Sequence, residues 1–176
     1  VRGMEELVRY VYAKGHRRIA FIHGEQTAVT ENRLTGFYRA CDALELEIPD
    51  AYIREGVYHD PDRCAELTRE LLRLPEPPTC ILMPDDFSSI GGRNAIHRMD
   101  LRLPEDISVA GYDGIQIASV MSPALTTYRQ DTQALGRTAA AKLIELIEKP
   151  RTALVDRVLI PGHLVEGASV RAIETL

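Results

Sequence analysis

LPEDISVAGYDGIQIASVMSPALTTYRQD, residues 103–131, carries two strand signals and, between them, a carboxylate. Ile107–Ala110 is a short apolar run that ends in Gly111-Tyr112-Asp113-Gly114, the pattern of a buried strand stopping at a glycine-flanked acid. Asp113 therefore sits at the C-terminal edge of its strand. In open α/β sheets the loops leaving that edge converge on one crevice, and ligands bind there. Ser122-Pro123 then fixes a turn, and the β-branched and aromatic run that follows starts a second strand. Too few residues separate the two strands for an ordinary crossover helix.

Outward from this stretch, strands and helices alternate. Met4, Leu7, Val8, Val11 and Tyr12 hold the spacing of an amphipathic helix that Gly15 stops. Arg18–His23 reads as a buried strand with Gly24 at its exit. Leu34, Phe37, Tyr38, Cys41 and Leu44 give a second helix that leaves at Pro49-Asp50. A short strand around Tyr52–Arg54 precedes Asp60-Pro61, an N-cap followed by a first-turn proline, which opens a helix to about Arg73. Pro75, Pro77 and Pro78 make a stiff connection to a strand at Thr79–Met83, and a helix is predicted over Asp86–Met99. Beyond Tyr128 the pattern predicts a long helix over Thr132–Glu148, stopped by Pro150. A final strand pair, Arg157–Ile160 and His163–Glu166, is expected to turn on Pro161-Gly162. This alternation predicts right-handed crossovers and a three-layer αβα fold with a mainly parallel sheet.

Composition narrows the function. A chain of 176 residues suits one domain, since roughly 150 residues already bury about 70% of their unfolded surface. Net charge is −5, and the basic residues are scattered apart from His16-Arg17-Arg18, which argues against this chain itself gripping a phosphate backbone. Cys41, Cys64 and Cys80 have no metal or redox spacing; their odd number fits a reducing cytoplasm, and they read as core filler. No run is long and apolar enough for a membrane span.

The segments GHRRIAFIHG, ENRLTGFYRA, CILMPDDFSSIG, LPEDISVAGYD, SPALTTYRQD and LGRTAAAKLIELIE, in this order and covering nearly the whole chain, closely resemble the effector-binding core of the lactose-repressor/galactose-repressor (LacI/GalR) family of bacterial regulators. The resemblance implies a periplasmic-binding-protein-like (type I) sensor, mostly its C-terminal lobe, with the 132–149 helix belonging to the N-terminal lobe. The chain opens on Val1-Arg2-Gly3 within an apparent helix, so it is expected to be truncated. In such relatives a helix-turn-helix, a hinge and the first half of the sensor precede this point. Dimers of such sensors are expected to form through segments matching Asp86–Met99, where Gly91-Gly92 permits close approach, and Ile115–Met121.

The resemblance also assigns candidate ligand-binding residues, each with a plainer reading beside it. Asp113 matches the aspartate that accepts hydrogen bonds from effector hydroxyls or amines; alternatively it satisfies local turn amides. Arg33, in ENRLTGF, matches an arginine whose planar fork fixes a diol or a carboxylate, or else it forms a surface ion pair. Asp85 matches a strand-end residue against the ligand, leaving Asp86 to cap the next helix. Tyr58 matches an aromatic that stacks on a sugar or base ring, or is a packing tyrosine. Gln130 lies at the lobe crossover, either bonding the ligand or bridging backbone. Four residues before Arg33, where relatives often place a hydroxyl, this chain has Val29.

Other chemistries find less support. His59, Asp60 and Asp62 lie at a turn and helix cap without helical ligand spacing, so no metal is expected, nor any cofactor. An enzyme using Asp85, Asp86 and Asp113 as acid/base groups or phosphoacceptor lacks a companion motif: His23-Gly24-Glu25 replaces the acidic pair of a phosphoreceiver, and no phosphate loop or serine elbow is present. The expected function is a cytoplasmic, dimeric sensor of a sugar or sugar derivative that controls operator binding through a preceding DNA-binding domain. The alternative is a periplasmic sugar-binding protein of a transport system.

Overall fold

A computed structural model describes residues 1–150 and 157–174. Helix α1 (Arg2–Ala13) buries Met4, Leu7, Val8 and Val11 and ends before Gly15, whose φ of +97° only glycine adopts cheaply. Strand β1 (Ile19–His23) leads to α2 (Ala28–Ala43), where the Thr27 side chain caps the helix by accepting from the Thr30 amide. After a 3₁₀ turn at Asp50–Tyr52 come β2 (Ile53–Glu55) and α3 (Pro61–Leu72), the latter capped by Asp60 as expected. Then follow β3 (Cys80–Leu82), α4 (Ser89–Arg98), β4 (Ser108–Asp113), α5 (Gln116–Val120), β5 (Thr126–Arg129), α6 (Thr132–Glu148) and β6 (His163–Val165).

The strands form one sheet in the order β2-β1-β3-β4-β5-β6, parallel from β2 to β5, with β6 antiparallel at the edge. Alternation along β1 builds both faces. Ile19 and Phe21 join a core with Met4, Leu7 and Phe37 from α1 and α2. Ala20 and Ile22 join a second core with Leu67, Leu71 and Ile96 from α3 and α4. Every residue of β1 is buried, which is why the strand reads as an unbroken apolar run. The mainly parallel three-layer architecture agrees with the sequence expectation. The chain changes direction across the sheet between β1 and β3, and at such a switch point the strand C-termini leave a crevice.

Several local expectations are corrected. The connection between β4 and β5 does hold a helix, the single short turn of α5, and the two strands pair in parallel. Residues 157–160 form no strand: Val158 and Leu159 lie exposed, and β6 pairs with β5 instead of folding back on them. Strand character needs a neighbouring ladder, and the Val158–Ile160 run has none among the described residues. Helix α4 begins at Ser89 rather than Asp86. Gly91 and Gly92 serve the chain's own packing: a Cβ on Gly91 would overlap the Pro61 backbone of α3, and one on Gly92 would press on Met83 and Thr68. None of the residues of α6 is buried, so its stripe of Leu135, Leu143, Ile144 and Ile147 does not pack back on the sheet. All three cysteines are buried, and desolvation raises their thiol pKa values, to about 12 for Cys41 and Cys64.

Candidate functional site

Arg33 lies on the buried face of α2, one turn beyond the helix start, and is 7% exposed. A guanidinium in such a place needs partners for its charge and its donors. Nη2 donates to Asp113 Oδ1 at 2.9 Å, Nη1 donates to the Pro84 carbonyl at the end of β3, and the group stacks 4.0 Å from the Tyr112 ring centroid. One side chain thus joins α2, β3 and β4 at the C-terminal edge of the sheet.

Asp113 reaches Arg33 through an unusual backbone. Tyr112 packs in the α1–α2 core, so strict alternation would send the next side chain to the opposite face. A φ of +106° at Asp113 breaks the alternation and turns the carboxylate toward Arg33. For a non-glycine residue such a conformation costs about 1–3 kcal/mol, which the surroundings must over-determine. Gln130, just past β5, donates from Nε2 to the same Oδ1 at 2.7 Å. Asp113 Oδ2 accepts no hydrogen bond among the described residues. Burial raises the Asp113 pKa above its ordinary value, while Arg33 and Gln130 pull it down.

Tyr58 lies on the loop between β2 and α3. Its hydroxyl is 2.9 Å from Thr30 Oγ1, its amide donates to Glu25, and its ring lies 5.2 Å from the Arg33 guanidinium. Gly24 is required here because a Cβ would occupy the Tyr58 ring. Tyr58 therefore forms a half-buried wall beside Arg33, fixed at both ends.

Of the two adjacent acids, Asp85 takes the turn-organising task expected of Asp86. Asp85 organises the turn into α4: Oδ1 accepts from the Ser88 amide, and Oδ2 accepts from the Ser88 hydroxyl and the His59 amide. It is 1% exposed with both oxygens engaged, so it ties the His59 loop to the turn into α4. Asp86 does not cap α4. It reaches across the sheet edge, where Oδ1 accepts from Thr127 Oγ1 and Oδ2 from the Ile115 amide. Burial lifts its pKa to about 6.

The structure brings Arg33, Asp113, Gln130 and Tyr58 together at the C-terminal edge of the sheet, with Asp85 buried in the turn after β3. Sequence reasoning missed Tyr112 as the platform under Arg33 and Thr30 as the partner of Tyr58. The first carried a signal, since an aromatic beside a strand-end acid is well placed to stack on a cation.

A family model described as a periplasmic-binding-protein-like domain matches residues 8–170. The chain is 33% identical over 174 residues to the probable HTH-type transcriptional repressor ExuR of Bacillus subtilis (strain 168), covering 98% of this chain and 52% of that protein. It spans about half the length of the curated relatives it matches. A LacI transcriptional regulator from Bacillus cereus subsp. cytotoxis NVH 391-98 superposes with a TM-score of 0.91 at 26% identity, covering 97% of this chain and 60% of that one. The transcriptional regulator CelR in complex with cellobiose superposes with a TM-score of 0.86 at 29% identity, covering 95% of this chain and 51% of that one.

Proposed function

Because the chain belongs to the periplasmic-binding-protein-like domain family, in the LacI/GalR group of regulators, we propose that it is the effector-sensing part of a bacterial transcriptional repressor. The observation that carries this reading is the Arg33–Asp113 pair, held at the sheet's C-terminal edge with Gln130 and the Tyr58 wall beside it. Such a floor offers planar donors, a carboxylate oxygen without a protein donor and an aromatic face, which suits a ring bearing hydroxyl groups. Relatives are named as transcriptional repressors, and one structural neighbour holds cellobiose, which favours a cytoplasmic sugar sensor over a transport protein or an enzyme.

The mechanism is differential affinity. An effector shifts the regulator between DNA-binding and non-binding arrangements only by as much as it prefers one of them. In this reading operator contact belongs to a DNA-binding domain outside these residues, the protein acts as a homodimer, and α6 docks with the second lobe of the sensor. Its apolar stripe supports that placement, since burying apolar surface contributes roughly 25 cal/mol per Å².

The test is fluorescence anisotropy of the full-length protein on labelled DNA from its own promoter region, titrated with a panel of sugars and nucleosides. One sugar should change the DNA affinity by about tenfold or more, within the usual range of allosteric coupling. DNA affinity that no sugar or nucleoside alters would overturn the proposal.

A further inference from the structure

Asp113 and Gly114 are successive residues with positive φ, +106° and +70°. Glycine adopts such a backbone cheaply, whereas Asp113 must be held in it. Turns of this kind aim successive backbone amides into one concavity, which suits an anion. Here the anion is the Asp86 side chain. Its Oδ2 accepts from the Ile115 amide at 2.8 Å, and the Gly114 amide also lowers its pKa.

Two further bonds complete the grip. Asp86 Oδ1 accepts from Thr127 Oγ1 on β5 at 2.6 Å, and the Asp86 amide donates to the Tyr112 carbonyl at 2.9 Å. One residue just past β3 thus ties the chain both before and after Asp113, while the Gln130 amide donates to the Asp113 carbonyl at 3.1 Å. Gly111 makes the room, since a Cβ there would overlap Asp86 Oδ1. Asp86 is fully buried with both oxygens engaged, so it does not itself meet an effector.

The acid opposes folding where it stands. Burial lifts its pKa to about 6, so at neutral pH the fold carries a buried, ionised carboxylate. Among the described residues no cation compensates it: Asp113 raises its pKa, Asp85 precedes it in the chain, Arg33 is engaged by Asp113, and Arg129 is directed to the Gly114 carbonyl. The bonds it makes either end in the turn that carries Asp113 or anchor that turn to β5. Resting on the sensor reading above for its functional meaning, we infer that Asp86 is a positioning residue of the effector site: its hold on Tyr112, Ile115 and Thr127 fixes Asp113 in the conformation that presents the carboxylate to Arg33.

The test is hydrogen exchange by NMR in the full-length protein without ligand at pH 7.5, labelled with ¹⁵N-arginine and ¹⁵N-isoleucine; Arg33→Lys identifies the Arg33 guanidinium signal. Asp86→Ala should speed exchange at both the Ile115 amide and the Arg33 guanidinium by about tenfold or more, the loss of roughly one charge-assisted hydrogen bond. Asp86→Asn should keep both within about twofold of wild type, because its oxygen can accept from Ile115 while its NH₂ donates to Thr127. Thr127→Val, which removes a donor but little volume, should speed both by about threefold and decides the matter if Asp86→Ala does not fold. Ile19 and Ile22 in β1 serve as controls and should not change. Faster exchange at Ile115 with Arg33 unaltered, no rescue by Asn, or equal acceleration at Ile19 and Ile22 would each overturn the inference and show an acid that serves only the fold. No sugar enters this experiment, so its failure leaves the sensor reading intact, and the anisotropy titration tests that reading separately.

Discussion

Arg33 and Asp113, 80 residues apart in the chain, meet at 2.9 Å because a left-handed backbone at the end of β4 turns the carboxylate onto the face from which α2 presents the guanidinium. The pair closes the gap between β1 and β4 over the end of β3, where the Pro84 carbonyl accepts a second hydrogen bond from the guanidinium. Each partner is half of the proposed site and also half of a structural tie. Removing the arginine would leave a partly buried carboxylate with only Gln130, a loss of about 1–3 kcal/mol for the unsatisfied group.

Asp86 gives the fold a pH dependence. Its pKa rises from 3.8 to about 6 on burial, so the folded protein holds this proton at pH values where the unfolded chain has released it. Its contribution to stability is fully present below pH 3.8 and is lost as pH rises through about 6. A two-unit shift corresponds to roughly 3 kcal/mol. Asp86→Asn stays neutral throughout. The difference in unfolding free energy between wild type and variant, from urea titrations across this window, should move in the variant's favour as pH rises; a difference that stays constant with pH would refute the assignment.

Gly91→Ala tests the reassigned glycine pair. The new methyl group would overlap the Pro61 carbonyl, a backbone atom that cannot rotate away, so α3 and α4 must separate. Overpacking of this kind costs about 1–3 kcal/mol or more. Urea unfolding of the purified variant should show that loss with no change in oligomeric state. Weaker dimerisation with unchanged protomer stability would return Gly91 to an interface role.

The long reach of the sheet was readable from punctuation: Gly24, Gly114 and Pro104 flank the buried strands, and burial of those runs on both faces leaves little freedom of placement. Arg33 and Asp113 were legible through their motifs. The division of labour between Asp85 and Asp86 was not, because adjacent carboxylates are chemically identical and only the positions of Ser88, His59 and Thr127 decide which turns where. Gly91-Gly92 reads from the sequence as an external contact, because small residues permit close approach without saying which neighbour approaches, here Pro61 of α3. Val158–Ile160 has the composition of a strand, yet a strand exists only where a neighbour completes its ladder.

The exposed stripe of α6 predicts association. Leu143 and Ile147 are 59% and 70% exposed, one turn apart on one side of the helix. Sedimentation of residues 1–176 at micromolar concentrations should show self-association, which Leu143→Glu with Ile147→Glu should abolish without lowering the melting temperature. Monomeric wild type over these residues would show that this stripe has too little area to drive pairing.

In the proposed site Arg33 binds the effector. Calorimetric titration of full-length wild type and Arg33→Lys with whichever sugar alters DNA affinity tests it directly. Lysine is a point charge that cannot hold Asp113 and the Pro84 carbonyl together in one plane while facing a ligand. Affinity should fall by about tenfold or more in Arg33→Lys, the loss of roughly one charge-assisted hydrogen bond, in a variant that still folds. Equal affinity in the two proteins would contradict it.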